Sequence, residues 1–240
     1  MKTKLKIVLF AYNFPHRKTI DFVEKIYDCG FEINLILAAN FIPIKSPRSA
    51  FLFDKKEPKT SIQDKATQKS IPLYKVQHNS AESQDLLRKY NVNFGIIAGA
   101  RILKHQVINM LSYGILNFHP AMLPKIRGLD SMLWSIYKDV PLGVTAHLIN
   151  DKIDAGFLVV QKKINILNSD DLQSLYEKNY QLQLKLIPIS LNLILRDQTF
   201  KTLKMNEYNN RMSYDKQIEV KAKLPHYIRK YTNKKDGSKN

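Results

Sequence analysis

The 240 residues suit one large domain, or one domain with a small appendage. A single cysteine, Cys29, excludes a disulfide framework and a four-ligand zinc site, and fits a reducing cytoplasm; no apolar stretch approaches the ~20 residues of a membrane span. The net charge of +17 raises the question of phosphate or nucleic-acid partners, but the lysines are scattered, and from Lys216 to Asn240 eight Lys/Arg against Glu219 and Asp236 supply +6 of it.

The opening MKTKLKIVLFAY has a basic flank and an apolar run, but the run is short and no small-residue cleavage site follows. It reads as a buried first strand, Lys6–Ala11. A helix over Thr19–Cys29 follows, with Phe22, Val23 and Ile26 at helical spacing and Gly30 as its stop. Phe31–Ala39 is a strand. The polar stretch Asn40–Ser70, with Pro43, Pro47 and Pro58, reads as a loop with one short helix. Leu73–Val76 is a short strand, Ser80 caps a helix through Tyr90, and Phe94–Ala98 is a buried strand ending at Gly99.

Strands separated by helices predict parallel pairing, with ligands at the carboxyl ends of the strands. The chemistry is therefore expected just after Phe94–Ala98 and Ile115–Phe118. Leu142–Ile149 and Phe157–Ile166 read as further strands. Ser169 is expected to begin a helix with Asp170 and Asp171 in its first turn, an apolar face through Leu172, Leu175, Tyr176, Leu182, Leu186 and Ile187, and a kink at Pro188. Beyond it, Thr199–Leu203 and Gln217–Ala222 are expected to pair as a hairpin around the polar Asn206–Tyr214. The end of the tail, with Gly237 and Ser238, reads as mobile.

Six of the eight glycines lie between Gly95 and Gly156, which marks a region of demanding backbone geometry. Within it stand Asn117-Phe118-His119-Pro120, Leu123-Pro124-Lys125-Ile126-Arg127-Gly128, Gly143-Val144-Thr145-Ala146-His147, and Asp154-Ala155-Gly156. On a strand, Asn117 and His119 project from one face because side chains alternate. An amide N–H can stabilise an oxyanion, an imidazole can take a proton from an attacking amine, and Asp154 can orient or charge-stabilise that imidazole. An Asn-x-His pair at a strand end, taken alone, is more often turn chemistry than catalysis. No Gly-x-Ser-x-Gly elbow supports a hydrolase. His147 is either a satisfied core histidine or a second member of the site, and Trp134 is core or pocket wall. His16, His78, His105 and His226 show no metal-ligand spacing.

Taken together, these motifs and the upstream Ala98-Gly99-Ala100-Arg101-Ile102-Leu103 resemble the 10-formyltetrahydrofolate-dependent formyltransferases over Phe94–Ile166. The resemblance implies an α/β Rossmann-like fold with a mostly parallel sheet, a catalytic domain over 1–197, and a region 198–240 holding a short C-terminal β-hairpin that mediates dimerisation. It implies that Asn117 holds the formyl oxygen, His119 is the general base and Asp154 assists. Arg101, Ile102, Leu103, Ile149, Asn150, Asp151 and Ile153 would line the folate pocket, with 10-formyltetrahydrofolate as cosubstrate and no metal.

Three acceptors compete. Enzymes acting on glycinamide ribonucleotide carry a glycine-rich phosphate loop after the first strand, where this chain has Tyr12-Asn13-Phe14-Pro15-His16-Arg17. Initiator-tRNA enzymes carry a C-terminal barrel for which residues 198–240 are too few. The sugar-nucleotide N-formyltransferases fit best. The resemblance then implies dTDP-4-amino-4,6-dideoxyglucose as acceptor, with a dTDP-3-amino-3,6-dideoxyhexose or a GDP-linked amino sugar as alternatives, for cell-surface polysaccharide such as the O-antigen of lipopolysaccharide. Lys125, Arg127, Gly128 and Trp134 are the expected acceptor contacts, with Lys125 and Arg127 on phosphate. The expected partners are the nucleotide-linked amino sugar and a second copy of the chain, with no nucleic acid and no membrane, in the cytoplasm.

Overall fold

The computed structural model describes residues 4–43, 47–54, 56–196 and 199–232. Gly237, Ser238 and the 197–198 boundary lie outside the described residues. The apolar runs of the first half become strands, β1 (Ile7–Tyr12), β2 (Ile33–Ala39), β3 (Leu73–Lys75), β4 (Phe94–Ile97) and β5 (Ile115–His119), all but the edge strand β3 buried on both faces. The helices between them are α1 (Arg17–Asp28), α2 (Ile62–Gln68), α3 (Ala81–Lys89) and α4 (His105–Ile108). Ser80 caps α3 as expected, accepting from the Ser83 N–H at 3.1 Å.

β6 (Arg127–Gly128), α5 (Ser131–Tyr137), β7 (Gly143–Leu148), β8 (Gly156–Lys163), α6 (Leu172–Arg196), β9 (Lys201–Leu203), β10 (Tyr208–Asn209) and α7 (Tyr214–Tyr231) follow. The main sheet has the order β3-β2-β1-β4-β5-β7-β8-β9, parallel from β3 to β5 and antiparallel from β5 to β9, while β10 pairs with β6 in a separate ribbon. The parallel pairing expected of strands separated by helices therefore ends at β5, to which β7 runs antiparallel, and the Ile149–Ala155 connection, too short for a crossover, keeps β8 antiparallel to β7.

One face of the sheet packs Leu9, Phe118 and Ala146 against Phe22 of α1 and Leu186 of α6. The opposite face packs Val8, Phe10 and Ile115 against Leu87 of α3 and Val107 of α4. A second core joins α5, the start of α6 and α7 through Trp134, Leu175, Val220 and Tyr227. Among the described residues no helix is long and apolar enough to cross a membrane.

Two expectations are corrected. The region after Thr199 is not a hairpin: β9 pairs with β8, and Gln217–Ala222 lies inside α7. Buried Gln217, Val220, Tyr227 and Ile228 fall at helical spacing, and the Tyr227 hydroxyl donates to the Val140 carbonyl at 2.6 Å, so α7 is fixed by one packed face. α6 starts at Leu172 rather than Ser169; Asp171 precedes it and accepts from the Ser174 N–H at 2.7 Å. The helix runs on through Pro188 to Arg196.

Candidate active site

The carboxyl end of β5 is held from three sides. Asn179 of α6 donates to the carbonyls of Pro120 (3.2 Å) and Gly143 (2.8 Å). The buried Thr145 hydroxyl donates to the Ala121 carbonyl at 2.7 Å and accepts from the Leu123 N–H at 3.0 Å, which pins the turn that leaves the strand. Asn117 pairs with His147, and His119 with Thr145, across β5 and β7. Cross-strand partners share a face, so Asn117, His119 and His147 project together.

His147 is fully buried, with Nδ1 3.1 Å from the Ala155 carbonyl and Nε2 3.2 Å from the Asn117 amide nitrogen. Burial, reinforced by the charge of His119, pushes its pKa down to about 4, so the ring is neutral near neutrality. A carbonyl only accepts, which assigns the ring proton to Nδ1 and makes Nε2 the acceptor of the Asn117 amide. Asn117 is half-buried, and among the described residues its second amide hydrogen meets no acceptor.

Asp154 sits in the connection between β7 and β8 with φ 49°, in the left-handed region. The loop turns back over the sheet through Gly156, at φ +105°, where a Cβ would lie 2.2 Å from the Leu148 carbonyl oxygen, so glycine is required. Asp154 Oδ2 accepts from the Gly128 N–H at 2.7 Å, and Oδ1 lies 3.3 Å from His119 Nδ1. Burial alone would raise the Asp154 pKa, but the hydrogen bond and charge of His119 and the Gly128 N–H outweigh it and hold the carboxyl below its usual range. His119 Nε2 donates to the Ile126 carbonyl at 2.9 Å, so the contact of Nδ1 with Asp154 is a hydrogen bond only while Nδ1 also carries a proton.

The other residues singled out from sequence divide clearly. Leu103 is buried and Ile149 half-buried in one apolar cluster with Ile115, on the face from which Asn117 projects. Ile102, Asp151 and Ile153 are exposed and Asn150 half-exposed around it. The Arg101 guanidinium turns away to the Ile42 carbonyl, beside a small crevice lined by Tyr12, Asn40 and His78. Lys125 is exposed, whereas Arg127 is buried and spent on the backbone: it donates to the Ile153 carbonyl through Nε (3.2 Å) and Nη2, and to the Asn206 carbonyl through Nη1. It is therefore not placed to hold phosphate. Trp134 is core, its ring nitrogen donating to the Asn210 carbonyl at 2.8 Å.

Sequence reasoning left His147 open and missed Asn206 and Asn209, whose segment shows no pattern in a run of two paired residues. A cavity of about 920 Å³ is lined by Tyr113, Leu148 and Phe200 at the opposite end of β5 from His119.

A family model described as "Formyl transferase" matches residues 45–191, which include all four polar residues of the site. The methionyl-tRNA formyltransferase of Prochlorococcus marinus (strain MIT 9312) is 30% identical over 162 residues, covering 64% of this chain and 49% of that protein. The chain thus spans about half the length of the curated relatives it matches. Among solved structures, a phosphoribosylglycinamide formyltransferase from Anaplasma phagocytophilum superposes with TM-score 0.64 at 18% identity, covering 88% of this chain and 100% of that one. The formyltransferase PseJ from Anoxybacillus kamchatkensis, in complex with UDP-4,6-dideoxy-4-formamido-L-AltNAc and tetrahydrofolate, gives TM-score 0.55 at 21% identity, covering 85% of each chain. At these identities the two structures share the fold.

Proposed function

The chain belongs to the formyl transferase family, and on that premise we propose that it moves a formyl group from 10-formyltetrahydrofolate to the amino group of a nucleotide-linked amino-dideoxysugar. One observation carries the reading: Asn117, tethered to neutral His147, lies two residues from His119, which faces the carboxylate of Asp154. An amide hydrogen and a proton-accepting pair on one strand end are what acyl transfer to an amine requires.

The folate would supply a formyl carbon bonded to nitrogen. The chain offers it the apolar floor of Leu103 and Ile149. The main-chain N–H and C=O of Leu103 make no hydrogen bond among the described residues, so they suit the polar edge of a flat ring. The free amide hydrogen of Asn117 would hold the formyl oxygen as charge develops on it. A lone pair on His119 Nδ1 would face an anion in Asp154; a proton arriving there turns repulsion into a charge-assisted bond, so the pair is suited to take the amine's proton.

The loop after β1 favours a sugar acceptor over glycinamide ribonucleotide. It has no glycine, Pro15 has no N–H, and α1 begins after His16 without a side-chain cap. The Anoxybacillus protein, bound to a UDP-linked formamido sugar, supports the same class. We propose dTDP-4-amino-4,6-dideoxyglucose as acceptor, with Lys125 as a phosphate contact, for cell-surface polysaccharide synthesis. Homodimerisation would use β9, one of the two edge strands of the sheet. Incubation with 10-formyltetrahydrofolate and a panel of dTDP-, UDP- and GDP-linked amino sugars, with initiator methionyl-tRNA in a parallel arm, tests the reading; turnover of the tRNA alone would defeat it.

A further inference from the structure

The segment between β9 and α7 lies beyond the residues matched by the family and still reaches the site. β10 runs parallel to β6, with Tyr208 beside Arg127 and Asn209 beside Gly128. Asn209 Nδ2 donates to the Arg127 carbonyl at 2.8 Å, and the Leu129 N–H donates to the Asn209 carbonyl at 2.9 Å. Gly128, whose N–H holds Asp154, has φ +95°, and a Cβ on it would lie 2.1 Å from the Asn209 oxygen. The segment therefore packs directly on the backbone that positions the carboxylate.

Paired residues on neighbouring strands project to the same side. Arg127 runs from this ribbon to the Ile153 carbonyl, so Tyr208 projects toward the same loop, the one that carries Asp154. The phenol is half-buried, and its hydroxyl makes no hydrogen bond among the described residues. Burial raises its pKa, and the Asp154 carboxylate is the next contributor, which agrees with that placement. Leu129 (42% exposed), Ile153 (39%) and Met205 (57%) flank the points where the three segments meet. A half-buried hydroxyl with unused hydrogen-bonding capacity, set in an exposed apolar rim beside an anionic carboxylate, is the chemistry of a ligand contact.

We propose that Tyr208 is an acceptor contact: its hydroxyl bonds the acceptor next to the amine that Asp154 faces, and Leu129, Ile153 and Met205 bound that place with apolar surface. The assignment rests on the formyl-transfer reading and deepens it, since an apolar rim suits a deoxygenated sugar ring better than a polynucleotide held mainly through phosphates.

The test compares Tyr208→Phe and Tyr208→Ala with the wild type, using 10-formyltetrahydrofolate and whichever acceptor the wild type formylates among the amino-sugar nucleotides and initiator methionyl-tRNA. Loss of one neutral hydrogen bond corresponds to roughly three- to tenfold in affinity. Tyr208→Phe is expected to raise the acceptor KM by about that factor with the folate KM unmoved, and Tyr208→Ala to raise it further. An unchanged acceptor KM in Tyr208→Phe overturns the assignment, as does an effect confined to the folate KM. Turnover of tRNA and of no sugar would overturn the sugar reading, and the same KM comparison on tRNA would still decide the role of Tyr208.

Discussion

Asn117 and His147 face each other across β5 and β7, the amide nitrogen 3.2 Å from the imidazole Nε2. The Ala155 carbonyl fixes the histidine tautomer, and the tautomer fixes which end of the amide points where. With the amide turned the other way, Asn117 would aim its oxygen at a developing oxyanion. His147 thus acts as a positioning residue. Asn117→Ala is expected to lower kcat by ~10²–10³-fold, and His147→Leu by about ten- to a hundredfold with both KM values retained. His147→Gln, which still offers an acceptor, should recover part of that loss. Wild-type kcat in His147→Leu would remove His147 from the account.

The same histidine should shape acid stability. His147 and His16 both have folded pKa values of about 4 against 6.5 when free, each lowered mainly by burial. Between those values the unfolded chain binds more protons, so stability is fully present above pH 6.5 and is lost as pH falls toward 4. Each histidine contributes up to about 1.4 kcal/mol per pH unit in that window. Melting curves from pH 7 to 4.5 should show a shallower fall in Tm for His147→Gln than for the wild type, and parallel curves would contradict the buried neutral ring.

Arg127 provides a stability test. Each carbonyl it serves would lose a charged donor in Arg127→Met, and hydrogen bonds to charged groups are worth ~1.5–3 kcal/mol each. With two carbonyls served, urea denaturation should therefore show a loss of about 3–6 kcal/mol, with a fall in kcat as the Asp154 loop loosens. A variant of full stability with only a raised acceptor KM would instead restore the phosphate role expected from sequence.

The alternation of apolar runs with helical spacings was enough to place β1 to β5, α1 and α3, because the central strands are buried on both faces and those helices have one apolar stripe, whereas the four-residue α4 is too short to show a period. The antiparallel pairing beyond β5 was not read from the sequence, because a helix also lies between β5 and β7, and only the short Ile149–Ala155 connection carries a direction of its own. Gln217, Val220, Tyr227 and Ile228 carried a helical period that the lysines between them and Pro225 obscured. In the site, Asn117, His119 and Asp154 stood out through strand alternation and flanking glycines. What the Arg127 side chain reaches could not be read, since Ile153 and Asn206 meet it only through the folded backbone.

Assembly gives a fourth expectation. β9 forms one edge of the eight-stranded sheet, with exposed Phe157 on its neighbour β8. An uncovered edge strand invites pairing with a second copy. Light scattering at micromolar concentration should report a dimer, and Phe157→Lys should shift it toward monomer. A strict monomer would refute this use of the edge.

The central claim is that His119, with Asp154, takes the proton of the attacking amine. It is tested most directly by following folate absorbance as formyl groups are consumed, with dTDP-4-amino-4,6-dideoxyglucose as acceptor, in the wild type and in His119→Asn. A general base contributes ~10²–10⁴-fold, so kcat should fall at least about a hundredfold in the variant while binding of the folate, monitored by fluorescence, stays near the wild-type value. Near-wild-type turnover by His119→Asn would contradict the mechanism, whichever amine proves to be the acceptor.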